Sequence, residues 1–260
     1  MTDTRRRAET PHDSATRVNS VRFSIERIEA WAPGLESAAD WAAWARGERV
    51  PGVVGEPPLK QMAPMLRRHA AQLGRMACDV TYRALGELRG VPIVFCSRYG
   101  EVDRSVELLT ALADGSGVTP TSFGLSVHNA VTGLFTMARR ETMNCIAMAA
   151  GPASTEHAII EAVGLLDETC TSVLIVVSDC RVPDVYLPFQ DRLPAAFAWA
   201  ALIQTSRERS VELTWHPVGN AVDVQEPREP DGLRVLRALL APPEATAYIN
   251  GAQEWRWSRT

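Results

Sequence analysis

Ser154 and His157 stand three residues apart in the stretch Ala149-Ala-Gly-Pro-Ala-Ser-Thr-Glu-His157, so on a helix they share a face. Asp179 closes an apolar run further along the chain. A hydroxyl, an imidazole and a carboxylate are thus available for hydrolysis or acyl transfer of the serine type. The G-x-S-x-G elbow of serine hydrolases is missing, and a serine in the first turn of a helix also serves as a cap bonded to backbone N–H groups. Cys145 is a second candidate nucleophile, but its mid-strand position leaves the thiol buried and unactivated.

Other chemistries find less support. Cys78, Cys96, Cys145, Cys170 and Cys180 are odd in number, widely spaced and set in apolar runs, which fits free thiols in a reducing cytoplasm. With no C-x-x-C and no H-x₃₋₅-H, neither a metal nor a cofactor is expected. Asp114-Gly-Ser-Gly117 lacks the third glycine and the Lys-Ser/Thr of a phosphate loop and reads as a turn. The net charge of -4 gives no basic field for nucleic acid. Arg5, Arg6 and Arg7 lie in residues 1–20, a polar stretch that reads as a disordered tail. No segment reaches the roughly 20 apolar residues that span a bilayer, so a cytoplasmic protein without membrane insertion is expected.

The elements that must position these residues follow from periodicity. Residues 21–31 alternate as a half-buried strand, and Ser37 to Arg46 reads as a short helix with Trp41 and Trp44 on one face. From Pro64 to Leu88 apolar residues recur every three or four positions, which predicts one continuous long helix with His69 on its stripe. Residues 91–97 and 171–178 are apolar runs typical of strands buried on both faces. Helices are expected at Glu101–Ala113 and Leu125–Ala138, with a strand at Met143–Ala149. That strand passes through a turn of small residues into a helix ending near Leu166. Ala195 to Ile203 and Val211 to Trp215 read as a closing antiparallel pair. A Pro-rich C-terminal extension, 217–260, carries a helix at Asp231–Leu240 and a last strand ending in Trp255-Arg-Trp257. The order predicts an α/β fold, a mixed five-stranded sheet with helices on both faces, with residues 21–216 as the domain and the extension packed on it.

From Val21 to His216 the chain resembles the amino-terminal half of β-ketoacyl synthases of the thiolase superfamily. PPLKQMAPMLRRHAAQLGRMA resembles the approach to the first long helix, VPIVFCSRYGEVDRS the second strand and its loop, and SFGLSVHNAVTGLFTMA the helix that reaches the dimer partner. NCIAMAAGPASTEHAIIEA resembles the strand, nucleophile turn and central helix. In that family the turn reads roughly T-A-C-x-S/T-G-x-x-A-I, and a gap-free alignment puts Pro152 in the place of the nucleophilic cysteine. Proline suits the first position of a helix, so the turn can survive without its thiolate. Neither H-G-T-G-T nor G-F-G-G of the family's second half is present, and His216 matches neither motif.

The resemblance implies a thiolase-like half fold and a non-catalytic subunit of the half-length, chain-length-factor type. Such subunits pair as heterodimers with a full-length β-ketoacyl-ACP synthase in type II fatty-acid, polyketide or polyene biosynthesis, and meet the acyl carrier protein through that complex. It places Ser126, His128, Asn129, Leu134, Phe135, Met143 and Cys145 at the partner contact, with Leu134 and Phe135 closing the partner's acyl tunnel. Two other readings of the residues stay open. One is an acyl-thioester hydrolase or transferase using Ser154 and His157; the other is a stand-alone module that binds an acyl carrier or acyl chain.

Overall fold

The computed structural model describes residues 18–218, 229–240, 245–250 and 252–259. The arginine triplet at residues 5–7 lies outside them, and so does most of the expected tail, since Asn19 and Ser20 already pair with Trp215 and Thr214.

In chain order the elements are β1 (Asn19–Trp31), α1 (Ala38–Ala45), α2 (Pro64–Arg67), α3 (Gln72–Leu85), β2 (Ile93–Cys96), α4 (Val102–Ala113), α5 (Pro120–Gly124), α6 (Ala130–Arg139) and β3 (Cys145–Met148). They continue with α7 (Ser154–Gly164), β4 (Ser172–Asp179), β5 (Phe197–Thr205), β6 (Val211–Pro217), α8 (Asp231–Leu240), β7 (Thr246–Asn250) and β8 (Gln253–Arg259). The strands form one eight-stranded sheet in the order β3-β2-β4-β5-β1-β6-β8-β7. β2 runs parallel to β3 and β4, and the remaining neighbours are antiparallel.

Four expectations need correction. The sheet has eight strands instead of five: β1 to β6 already supply six, and the extension adds β8 and β7 to the outer side of β6. The strands β5 and β6 do not pair with each other: β1 lies between them, meeting β6 over Asn19–Phe23 and β5 from Phe23 to Trp31, with a bulge at Ile25/Arg27 within the latter pairing. The long helix breaks between Arg67 and Gln72. Its carbonyls at the break are taken by side chains instead, Arg104 donating to His69 at 2.6 Å and Arg75 to Ala70 at 3.2 Å. Leu66 and Leu73 still reach one core, so the apolar stripe reported burial and not helical continuity. Likewise the expected helix 125–138 begins only at Ala130, after a turn in which Ser126 donates to the Phe123 carbonyl at 2.8 Å.

Alternation along the central strands sends side chains to two cores. Ile93, Phe95, Leu174, Val176, Ala198, Ala200 and Leu202 pack under α3 and α6. Val94, Cys96, Val173, Ile175, Val177, Phe197 and Trp199 face α7 and α8. α8 comes close because residue 232 is glycine: a Cβ there would meet the Phe197 ring at 2.8 Å, and the Gly232 carbonyl accepts from Trp199 Nε1 at 2.9 Å. Arg237 of α8 donates to the terminal carbonyls of α1 at Trp44 and Ala45, 2.7 and 2.9 Å away, with its guanidinium over the Trp44 ring. A cation at a helix C-terminus meets both the free carbonyls and the helix dipole. β8 adds Trp255 and Trp257 to the same core, Trp255 lying edge-on to His157 of α7.

Candidate functional site

The turn between β3 and α7 is tight. Gly151, at φ +62, takes a left-handed conformation that costs glycine little. Pro152 follows in the 3-10 turn Gly151–Ala153, which leads straight into α7. The Ser154 hydroxyl accepts from Ala150 N at 2.8 Å and donates to the Gly151 carbonyl at 2.7 Å. It closes the turn and is 3% exposed. His157 donates from Nδ1 to the Ala153 carbonyl at 2.8 Å and sets its ring edge-on to Trp255 at 5.4 Å. Asp179 accepts from Ser97 Oγ at 2.8 Å and from Arg98 N at 2.9 Å, and burial pushes its carboxyl up to about 6. Serine, imidazole and carboxylate each bond elsewhere, so the relay that their spacing invites is not assembled.

A cleft of about 40 Å³ opens beside the turn, lined by Gly151, Ser154, Asp179, Arg98, Arg192 and Asp231. That is far below the several hundred Å³ of an ordinary ligand pocket and too small for an acyl chain.

The remaining candidates divide. Cys145 is half-buried in β3, and burial raises its thiol pKa, the reverse of activation. Met143 is half-buried just before β3 and packs on the core under α3. His128 donates from Nε2 to the Ser97 carbonyl at 3.0 Å and meets Phe95 edge-on, while burial lowers its pKa. Ser126 is bonded to its own turn, and Asn129 is exposed at the start of α6. Leu134 and Phe135 are 5% and 2% exposed in this chain, and Phe135 packs edge-on against Tyr82 at 4.9 Å. The apolar side chains that do reach the surface here are Leu109, Leu112, Phe123, Val127 and Met137. A groove between α4 and α5 collects Leu109, Leu112 and Phe123.

Sequence reading missed a charged cluster that fastens the extension to the turn. Asn250 donates its side-chain amide to the Pro152 carbonyl and, at 3.4 Å, to Asp231. Asp231 also takes Arg192 and Arg234, and Arg98 stands 3.5 Å away. Glu156, 0% exposed, accepts from the Tyr248 hydroxyl at 2.9 Å. Apart from Asp231 and Arg234, three residues apart, the partners lie 19 to 133 residues apart in sequence, beyond the reach of any local pattern. The one signal was Glu156 at the start of a helix whose remaining polar side chains past its first turn reduce to Glu161.

Among curated proteins no relative matches the chain. A family model described as "Beta-ketoacyl synthase, N-terminal domain" matches residues 41–258. A chain of the complex between the ketosynthase ApeO and its chain length factor ApeC from Xenorhabdus doucetiae shares the fold with a TM-score of 0.81. It is 25% identical over 92% of this chain and 100% of that one. The ishigamide ketosynthase/chain length factor gives a TM-score of 0.60 at 14% identity, over 73% of this chain and 65% of that one. A β-ketoacyl synthase from Burkholderia phymatum STM815 gives 0.54 at 12% identity, over 74% and 60%. At the two lower identities the likeness concerns the fold alone. Family match and shared thiolase-like fold agree with the nucleophile-turn topology: this chain belongs to the β-ketoacyl synthase N-terminal domain family.

Proposed function

We propose that the chain is a non-catalytic, ketosynthase-like subunit of the chain-length-factor type, acting as the cytoplasmic partner of a full-length β-ketoacyl-ACP synthase in polyene, polyketide or type II fatty-acid synthesis. The observation that carries this reading is Pro152 at the nucleophile turn, with the neighbouring Ser154 hydroxyl committed to closing that turn. Condensation needs a thiolate there and donors for the developing oxyanion. The likeness to a chain of a ketosynthase–chain length factor complex supports the pairing.

Two features suit a partner on this side of the sheet. Among the described residues β3 is an edge strand, hydrogen-bonded to β2 alone, and a free strand edge invites pairing. Beside it α4, α5 and α6 expose Leu109, Leu112, Phe123 and Met137, each more than half exposed at 58%, 60%, 62% and 59%. Large apolar side chains gathered in this way mark protein contacts. Phe123 and Met137 take over the partner role first assigned to Leu134 and Phe135, and acyl carrier protein is met through the assembled pair. Co-expression with a ketosynthase from the same gene neighbourhood tests the reading: a stable 1:1 complex supports it, and separate elution of the two chains overturns it.

A further inference from the structure

The Glu156 side chain reaches two elements of the extension directly and a third through Tyr248. Its Oε1 accepts from the Tyr248 hydroxyl of β7 at 2.9 Å and lies 3.8 Å from the Arg234 guanidinium of α8. The Tyr248 hydroxyl in turn accepts from Trp257 Nε1 of β8 at 3.0 Å, and the Arg234 guanidinium stacks over the Tyr248 ring. The arrangement is unfinished. Among the described residues neither Glu156 Oε2 nor Arg234 Nε has a hydrogen-bond partner, though both are buried. An ionised carboxylate with one bare oxygen is costly in such surroundings, and a neutral acid much less so.

We propose that Glu156 is a proton-operated clasp: as the neutral acid it holds β7 and β8 against α7, and on losing its proton it lets them loosen from the turn helix. This rests on contacts within the chain and stands whether or not the chain pairs with a ketosynthase.

The groups facing Glu156 are Asp231 and Arg234 on α8, Tyr248 on β7 and Cys96 on β2; β8 presents only Trp255 and Trp257 to this core. Burial raises the Tyr248 hydroxyl and the Cys96 thiol well above their ordinary values, so both stay neutral. Asp231 is held by Arg192 and Arg234. Glu156 itself is pushed from its ordinary 4.5 up to about 7, chiefly by burial, with Arg234 opposing. A raised carboxyl favours the closed form below 4.5, and that advantage is lost as pH rises through about 7. The opening equilibrium should therefore rise about tenfold between about pH 6 and pH 8 and then level off.

Hydrogen exchange of the β7 and β8 amides, corrected for the intrinsic base-catalysed rate, reads this directly. In the wild-type chain protection should fall about tenfold over that range. Glu156→Gln, an isosteric neutral mimic, should flatten the response, and Asp179→Asn, which alters another raised carboxyl but touches no part of β7 or β8, should retain it. Carbon-13 titration of the Glu156 carboxyl in the unsubstituted protein should show a midpoint near 7. A flat wild-type response, an unchanged fall in Glu156→Gln, a fall abolished by Asp179→Asn, or a carboxyl that titrates near 4.5 would overturn the proposal.

Discussion

The side-chain amide of Asn250 donates to the carbonyl oxygen of Pro152, 98 residues earlier in the chain. Through this bond and the packing of His157 on Trp255, the extension covers the turn where relatives of this family would keep a reactive cysteine. Trp255 is fully buried, so Trp255→Ala should cost about 3–5 kcal/mol in a urea titration. A loss below about 1 kcal/mol would mean that the extension does not complete the core.

Chemistry at the turn should not return when the nucleophile is restored. Pro152→Cys places a thiol beside a cleft of about 40 Å³, with His157 and His128 each bonded to a backbone carbonyl. Incubated with an acyl thioester, the variant should show no turnover by product analysis. Measurable condensation by Pro152→Cys alone would contradict this.

Ser154 is expected to matter for stability and not for catalysis. Ser154→Ala removes both bonds of a buried hydroxyl and leaves Ala150 N–H without its acceptor, a loss of about 1–3 kcal/mol. Intact-mass spectra of the wild-type chain after exposure to acyl thioester should show no adduct at Ser154 or Cys145.

On α5 and α6 buried and exposed side chains should separate by phenotype. Phe135→Ala opens the core against Tyr82 and should cost about 3–5 kcal/mol while leaving product length unchanged in complexes that still assemble. Phe123→Ala and Met137→Ala touch exposed side chains and should change stability by less than about 0.5 kcal/mol while weakening the complex in a titration with ketosynthase. The reverse pattern would move the partner surface away from these helices.

Stability should also fall with rising pH through the acid range. The Asp179 carboxyl is raised by burial from 3.8 to about 6, so its contribution is complete below 3.8 and lost as pH climbs through 6. The slope approaches about 1.4 kcal/mol per pH unit between those values. In Asp179→Asn the amide oxygen can still accept from Ser97 and Arg98, so urea midpoints should lose this part of their pH dependence. An unchanged slope in the variant would show that Asp179 titrates near its ordinary value.

Local signals and distant contacts explain how far the sequence could be read. The apolar runs around Ile93–Cys96 and Ser172–Asp179 are strands because such runs bury on both faces, and α8 runs from Asp231 to Leu240 as its leucine spacing predicts. The break before Gln72 was invisible because it is stabilised by Arg104, more than thirty residues away in sequence. The neighbours of β1 were equally hidden, since alternation states that a strand is half-buried but not beside which strand. At the site, the tight turn was legible from AAGPAST. The fastening by Asn250, Tyr248 and Arg234 was not, because buried polar partners are specified by geometry and leave no periodic trace.

The most direct measurement is native mass spectrometry of the chain mixed with a co-encoded ketosynthase and an acylated carrier protein. Pairing without catalysis predicts a 1:1 heterodimer in which the acyl group is carried by the ketosynthase and this chain keeps its unmodified mass. An acyl adduct on this chain, or two chains that remain separate under conditions where the ketosynthase is active, would contradict it.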